Sequence, residues 1–287
     1  MSGVLSSLRY LLSDFIGEED DTPPFLPAGL PESIAPFVSD AIHMLIDYQS
    51  VSYAQLYVDR LRRLIGRAGV DEAMFGDIAR LMAMRMSYED PIRIAQLKLA
   101  EPPGPDDVRK FRLDELIGAL PVVVADPLLA AFEWVGWVRR QRVSIRFSNR
   151  SRWGIRRLKI EASLKRWRKF SEHYGKERVW VERWLHMIDR ALAKQPAAVD
   201  EIVRSIRIVS GYGADYRLAL ANWNLIVNSL AKPVFDGELA LPSLSDALAQ
   251  ARSAAVADPS GEELRRTISA IRATAELADA RRASGSA

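Results

Sequence analysis

The spacing of apolar side chains sets the first expectation. From Ser39 onward they fall at 42, 45, 46, 53, 56, 57, 61 and 64, close to a 3.6-residue period. This predicts one helix, ended by Gly66 and Gly69. A second helix is expected over about 71–88, where the charged start "VDEAMFGDIAR" suits the positive end of a helix. Pro91 opens a third, short one, "PIRIAQLKLA", because a proline at the first helical position gives up no hydrogen bond. "EPPGPDD" (101–107) is a break. Helical patterning returns near 112–119, 127–142, 152–173 and 177–193, then at 197–210, stopped by Gly211, and at 214–231, stopped by Pro233. Two alanine-rich helices follow, at about 243–256 and 261–282. "SGEE" before the second has capping-box form, with Ser260 as N-cap and Glu263 three residues on. No period-two strand ladder stands out, and "VSIRF" (143–147) is the best short-strand candidate. The expected fold is all-α, a multi-helix domain of roughly nine to eleven helices with at most one short strand pair.

Before the helices, "GEEDDTPPFLPAGLPESIAP" (17–36) joins an acidic run to five prolines and resists helix formation. The chain therefore divides into an N-terminal short helix and Pro-rich acidic linker (1–37), a helical core (38–233), and alanine-rich C-terminal helices with a tail (234–287). The longest apolar stretch, 116–138, is interrupted by Pro121, Asp126, Pro127 and Glu133, so no membrane span is expected. The N-terminus lacks the basic start and long apolar run of a signal peptide. With no cysteine, disulfides and Cys-ligated zinc or iron–sulfur centres are excluded, and a reducing cytoplasm is the expected location. Three scattered histidines suggest no metal centre.

The net charge is only +3, but it is unevenly placed. Residues 1–135 carry −9, residues 136–190 carry +12, and residues 191–287 are neutral. The centre of the basic region is "RSRWGIRRLKIEASLKRWRKF" (150–170). At 100° per residue, Ile160, Leu164 and Trp167 fall within about 40° of Trp153. Ile155, Leu158 and Ala162 gather on the opposite side. Two apolar edges predict a helix packed on both sides, with cations emerging between them. A membrane-surface helix has one apolar face. The aromatics lie mostly on the apolar edge and make poor stacking platforms, which argues against nucleic acid. The candidates for an anion or a partner are Arg156, Arg157, Lys165, Arg166 and Arg168, with Arg217 outside the segment.

Chemical motifs are few. The P-loop, the G-x-S-x-G elbow and H-E-x-x-H are all missing. "SGYGADYR" (210–217) offers Gly211 and Gly213 for a phosphate loop, but a helix precedes it and Tyr216 stands where a third glycine is needed. Helix capping at Gly211 and a turn at Gly213 is the better reading. Glu89 and Asp90, with Arg93 nearby, are an acid–base candidate, although Asp90 before Pro91 suits an N-cap. Tyr48, Tyr53 and Tyr57 recur at helical spacing, as core or interface aromatics do.

Four segments, "LIDYQSVSYAQLYVDRL" (45–61), "ARLMAMRMSYEDPIRIAQLK" (79–98), "LKIEASLKRWRKF" (158–170) and "IVSGYGADYRLALANWNLIV" (208–227), occur together and in this order. They resemble the helical region of uncharacterised role in the indolepyruvate oxidoreductase family, which follows the catalytic domain of the beta subunit and also closes the fused single-chain enzymes. The likeness spans roughly residues 38–230. Its order and co-occurrence carry the case, because no single motif in it is specific.

The resemblance implies a place in a complex that decarboxylates an aryl pyruvate with coenzyme A and reduces ferredoxin. Thiamine diphosphate, iron–sulfur clusters and coenzyme A would sit on partner subunits or domains, with none bound here. The chain has neither cluster cysteines nor the G-D-G…N thiamine motif, so a separated domain or a stand-alone relative is expected. The resemblance supplies no catalytic residue. The motif positions of interest are Tyr48, Gln49, Tyr53, Tyr88, Glu89, Asp90, Arg93, Gly211, Tyr212, Gly213 and Asn222, with Arg217. Expected partners are the catalytic subunits of a 2-oxoacid oxidoreductase, and homo-oligomerisation stays open. The competing expectation is a binding module for anionic ligands or nucleic acid through the basic segment 139–169. A third, weaker one is an independent enzyme built on Glu89 or Asp90 with Arg93.

Overall fold

The computed structural model describes residues 24–88, 90–118, 131, 142–165, 168, 172–209 and 213–285. The chain forms two compact units, Met1–Ile65 and Gly66–Ala287. Among the described residues the architecture is mostly helical, with one two-stranded antiparallel sheet.

In the first unit α1 (Ala35–Tyr48) and α2 (Val51–Arg62) pack on each other. The single helix expected from Ser39 is thus two. Ser50 accepts the backbone N–H of Tyr53 at 3.3 Å and caps α2. The apolar period continues across this break, so periodicity alone does not reveal it. The rings of Tyr48 and Tyr53 meet over the corner at 5.9 Å between centroids.

The second unit opens with α3 (Glu72–Met86) and α4 (Pro91–Ala100), each capped by an aspartate, of which Asp90 is the cap the sequence suggests. Asp71 accepts the N–H of Met74, and Asp90 that of Arg93. β1 (Asp107–Arg112) leads into α5 (Leu113–Gly118), and β2 (Arg142–Phe147) returns antiparallel to β1. The strand expected at 143–147 is present. Its partner was missed because "DVRKFR" has no apolar alternation. The helix expected over 127–142 lies outside the described residues apart from Ala131 and Arg142, of which Arg142 begins β2 instead, and the short N-terminal helix also lies outside them.

One face of this ribbon joins a small core. Phe111 and Phe147 meet edge to face at 6.2 Å and pack with Ile94, Ala95 and Leu158. Asn149, just past β2, shares its amide hydrogens among the carbonyls of Lys98, Glu101 and Pro102. Its Oδ1 accepts the N–H of Gly104. One buried side chain thereby satisfies the end of α4 and the proline-rich break after it.

α6 (Arg152–Ser163) packs on α4. The single α-helix expected over 152–173 ends there, residues 164, 165 and 168 take 3₁₀ geometry, and the next α-helix is α7 (Glu172–Lys194). Then come α8 (Val199–Ser205), flanked by 3₁₀ turns, and α9 (Gly213–Ile226). Pro233 does not stop α9. A π-helical turn, Val227–Ala231, passes into α10 (Lys232–Asp236), and Gly237 in the left-handed region ends the rod. The wider turn makes room for the proline ring, as π-bulges do. α11 (Leu244–Ala257) and α12 (Glu262–Gly285) pair at the end. The cap of α12 comes mainly from Asp258, which accepts the N–H groups of Ser260 and Glu263 at 3.0 Å each. The Ser260 hydroxyl, together with these N–H bonds, holds its carboxyl below its ordinary value.

Candidate functional site

Among the described residues of the Gly66–Ala287 unit, two buried clusters and one exposed face bear on the candidate positions. The first cluster joins α3, α7 and α9. Arg85 donates from Nη2 and Nε to the two carboxylate oxygens of Glu177, at 2.6 and 3.1 Å. Its Nη1 reaches the Val209 carbonyl at 3.4 Å. The guanidinium packs over the rings of Trp180 and Tyr216, 5.1 and 4.8 Å from their centroids. The Tyr216 hydroxyl donates to the same Glu177 oxygen that takes Nη2. Trp180 meets Trp223 edge-on at 5.3 Å, and Trp223 donates to Ser205.

Glu177 is only 4% exposed, so burial pushes its carboxyl pKa up, while the charge and hydrogen bonds of Arg85 pull the other way. A carboxylate, a guanidinium and a phenol are a usable acid–base set. Here all three are almost wholly buried and engage one another, so they tie three helices together. Sequence reading missed Arg85 and Glu177, and met Tyr216 only as an obstacle to a glycine loop. Their spacing in the chain is too long to mark them. The one local signal is a charge at Arg85 inside the apolar run "LMAMRM".

The second cluster joins the basic segment to the acidic part of the chain. Arg168 Nε and Nη2 donate to the two carboxylate oxygens of Asp90, at 2.7 and 2.8 Å. Asp90 Oδ1 also takes the backbone N–H of Arg93 at 2.6 Å. Arg168 is 1% exposed. A sequence-level candidate for an external anion thus closes an internal match, and the carboxylate proposed for acid–base work caps α4. Arg93 is buried, Tyr88 is half-buried, and Glu89 lies outside the described residues.

The third feature is α6. Its inner edge behaves as expected, with Leu158 buried against α4 and the ribbon. Its outer edge does not. Trp153 is 79% exposed and Ile160 58%, and Leu164 just beyond the helix is also exposed. The helix is packed on one side, not two. Arg156 lies over the Trp153 ring at 5.9 Å, and Arg157 pairs with Glu161 at 2.7 Å, both at the surface. Lys165 is half-buried, and Arg166 and Trp167 lie outside the described residues.

Of the remaining motif positions, Tyr48, Gln49 and Tyr53 are buried around the α1–α2 corner. Gly213 begins α9, Arg217 is exposed on it, and Gly211 and Tyr212 lie outside the described residues. Asn222 is buried and donates from Nδ2 to the Pro259 carbonyl at 3.0 Å. A β-carbon at Gly261 would fall 2.3 Å from Asn222 Oδ1, and Gly261 has φ +84°. Asn222 therefore fixes the α11–α12 corner. An open groove of about 550 Å³ runs between these two helices, away from the motif residues.

Among the described residues, no three His, Cys, Asp or Glu side chains are grouped to hold a metal ion, and no helix is long and apolar enough to cross a membrane. No curated protein and no solved structure matches this chain. Residues 34–229, spanning α1 to the π-helical turn, match a family of unknown function, DUF6537, and the chain belongs to that family.

Proposed function

We propose that the chain is a non-catalytic helical subunit or accessory domain of an indolepyruvate-type (aryl pyruvate) 2-oxoacid:ferredoxin oxidoreductase, acting in assembly or in covering the active site. One observation supports this above the others. The segments that resemble the family's helical region supply both partners of the Asp90–Arg168 pair, from 79–98 and 158–170, and Arg85 and Tyr216 of the other cluster, from 79–98 and 208–227, while Glu177 lies outside them. Buried ionic pairs of this kind add little net stability, but they penalise any packing that separates them. A rigid shape held in register suits a scaffold or a cover. Thiamine diphosphate, iron–sulfur clusters and coenzyme A would then belong to the partners.

The test is purification of the tagged chain from native cells, with mass spectrometry of what comes with it. Co-elution of a thiamine-dependent 2-oxoacid oxidoreductase in fixed ratio is expected. Deleting the chain should lower the yield of assembled complex or its reduction of ferredoxin with aryl pyruvates. Recovery without any thiamine-dependent partner overturns the reading.

A second reading has its own observation. Arg156 and Arg157 stand exposed on α6, as a binding module for anionic ligands or nucleic acid through 139–169 would need. Affinity for DNA, RNA or a phosphate-rich ligand that falls steeply with salt would favour it.

A further inference from the structure

The outer face of α6 has the composition of a protein-binding hot spot. Trp153, Ile160 and Leu164 give an apolar strip, and Arg152, Arg156, Arg157 and Lys159 are exposed around it. The only acidic residue on α6, Glu161, is already paired with Arg157. The neighbouring ribbon also exposes Lys110 and Arg146, with Arg146 lying 3.9 Å from the Asp106 carboxylate. Trp153 is 79% open to water and forms, with Ile160 and Leu164, a contiguous exposed apolar strip of the kind that marks an interaction surface.

Three occupants differ in what they ask of this face. Single-stranded nucleic acid wants successive aromatic platforms, and the face offers one tryptophan beside aliphatic side chains. A lipid surface wants charges set apart from the inserted strip. Here Arg157 and Arg156 lie about 40° and 60° from Trp153 around the helix, within the strip itself, and insertion would drag them in. A protein surface with an apolar pocket and an acidic rim accepts all of it at once: tryptophan and arginine are the residues such interfaces favour, and the rim charges complement.

We infer that the outer face of α6 docks the chain onto a partner protein through an apolar pocket that takes Trp153, rimmed by carboxylates that meet Arg156 and Lys159. The inference rests on the reading of the chain as an oxidoreductase subunit, and it names the contact surface of that partner as acidic.

The test uses the full chain and the purified catalytic subunits of the thiamine-dependent oxidoreductase from the same cells, with binding measured by surface plasmon resonance. Trp153→Ala is expected to weaken Kd at least about thirtyfold, as a central hot-spot residue does. Arg156→Glu with Lys159→Glu should lower the on-rate and flatten its dependence on salt. Unchanged circular dichroism and melting show that the variants keep the fold, and an exposed Arg150→Glu serves as a charge control. If wild type binds and Trp153→Ala binds equally well, the docking face is wrong while the functional reading survives. No binding by wild type overturns both. Vesicles of phosphatidylglycerol and a 20-mer single-stranded DNA form the other arms. Trp153-dependent binding to either one, without binding to the subunits, overturns the protein partner.

Discussion

Arg168 and Asp90 lie 78 residues apart in the chain and form a two-pronged ion pair in the interior. The pair carries the middle of the basic segment back to the first turn of α4. Removing one partner leaves the other charge buried and alone, which costs about 3–5 kcal/mol. Arg168→Met should therefore lower unfolding free energy by about that much. Combining it with Asp90→Asn, which keeps a cap for α4, should recover a large part of the loss. Chemical denaturation of the two single variants and the double variant measures the coupling. Additive losses would show that the pair does not act as a unit.

The Glu177 carboxyl titrates above its ordinary value of 4.5 because burial outweighs the attraction of Arg85. A raised folded-state pKa means that the folded protein holds this proton more tightly than the unfolded chain. The stability from this site is then present below 4.5 and is lost as pH rises through the raised value. Glu177→Gln removes that slope. Subtracting its stability–pH curve from that of wild type should give a difference that falls with rising pH. A difference that grows instead would mean that Arg85 dominates.

Arg272 on α12 donates to the Ser229 carbonyl at 2.9 Å, inside the π-helical turn. In an α-helix that carbonyl would take the N–H of residue 233, which is proline and has none. Arg272→Met should cost about 1 kcal/mol, the worth of a satisfied, partly buried acceptor. In a Pro233→Ala background the backbone can supply the donor, so the same substitution should cost less. Equal costs in both backgrounds would separate Arg272 from the proline.

Gly261→Ala places a β-carbon against Asn222 Oδ1 and forces a residue with a side chain into positive φ. A loss of about 1–3 kcal/mol is expected. Asn222→Ala should relieve the clash but leave the Pro259 carbonyl without its donor. The double variant should therefore sit between the glycine substitution alone and wild type. Thermal melting of the set reads this order.

Asp258, held below its ordinary value by the Ser260 hydroxyl and by the N–H groups of Glu263 and Ser260, stabilises the start of α12 while it is ionised. A depressed folded-state pKa gives stability above the unfolded value, lost as pH falls through the folded one. The advantage of wild type over Asp258→Ala should shrink on acidification. A constant advantage across that range would show that the cap acts without its charge.

Amphipathic period and capping residues made most helices legible. Asp71, Asp90 and Ser243 accept from the first turns of α3, α4 and α11, all local bonds that a short window of sequence can contain. The misreadings of the basic segment have local causes. The wheel drawn through 150–170 assumes an unbroken helix, and α6 ends at Ser163. Past that point the phase is lost, so Arg168 turns inward where the wheel points it to the surface. Likewise, the two apolar edges of α6 look equivalent in sequence, yet only the Leu158 edge finds a neighbour.

The helical class, the strand at 143–147, the cap at Asp90, and the opposition of an acidic and a basic region are legible in the sequence, because each depends on neighbours within a few residues or on simple counting. Which charges meet is settled by the packing of the helices. Arg85 with Glu177 and Asp90 with Arg168 are contacts across 92 and 78 residues. No local energy selects such partners. They are chosen by the packing of whole helices, which brings one arginine against its carboxylate and leaves Trp153 facing water.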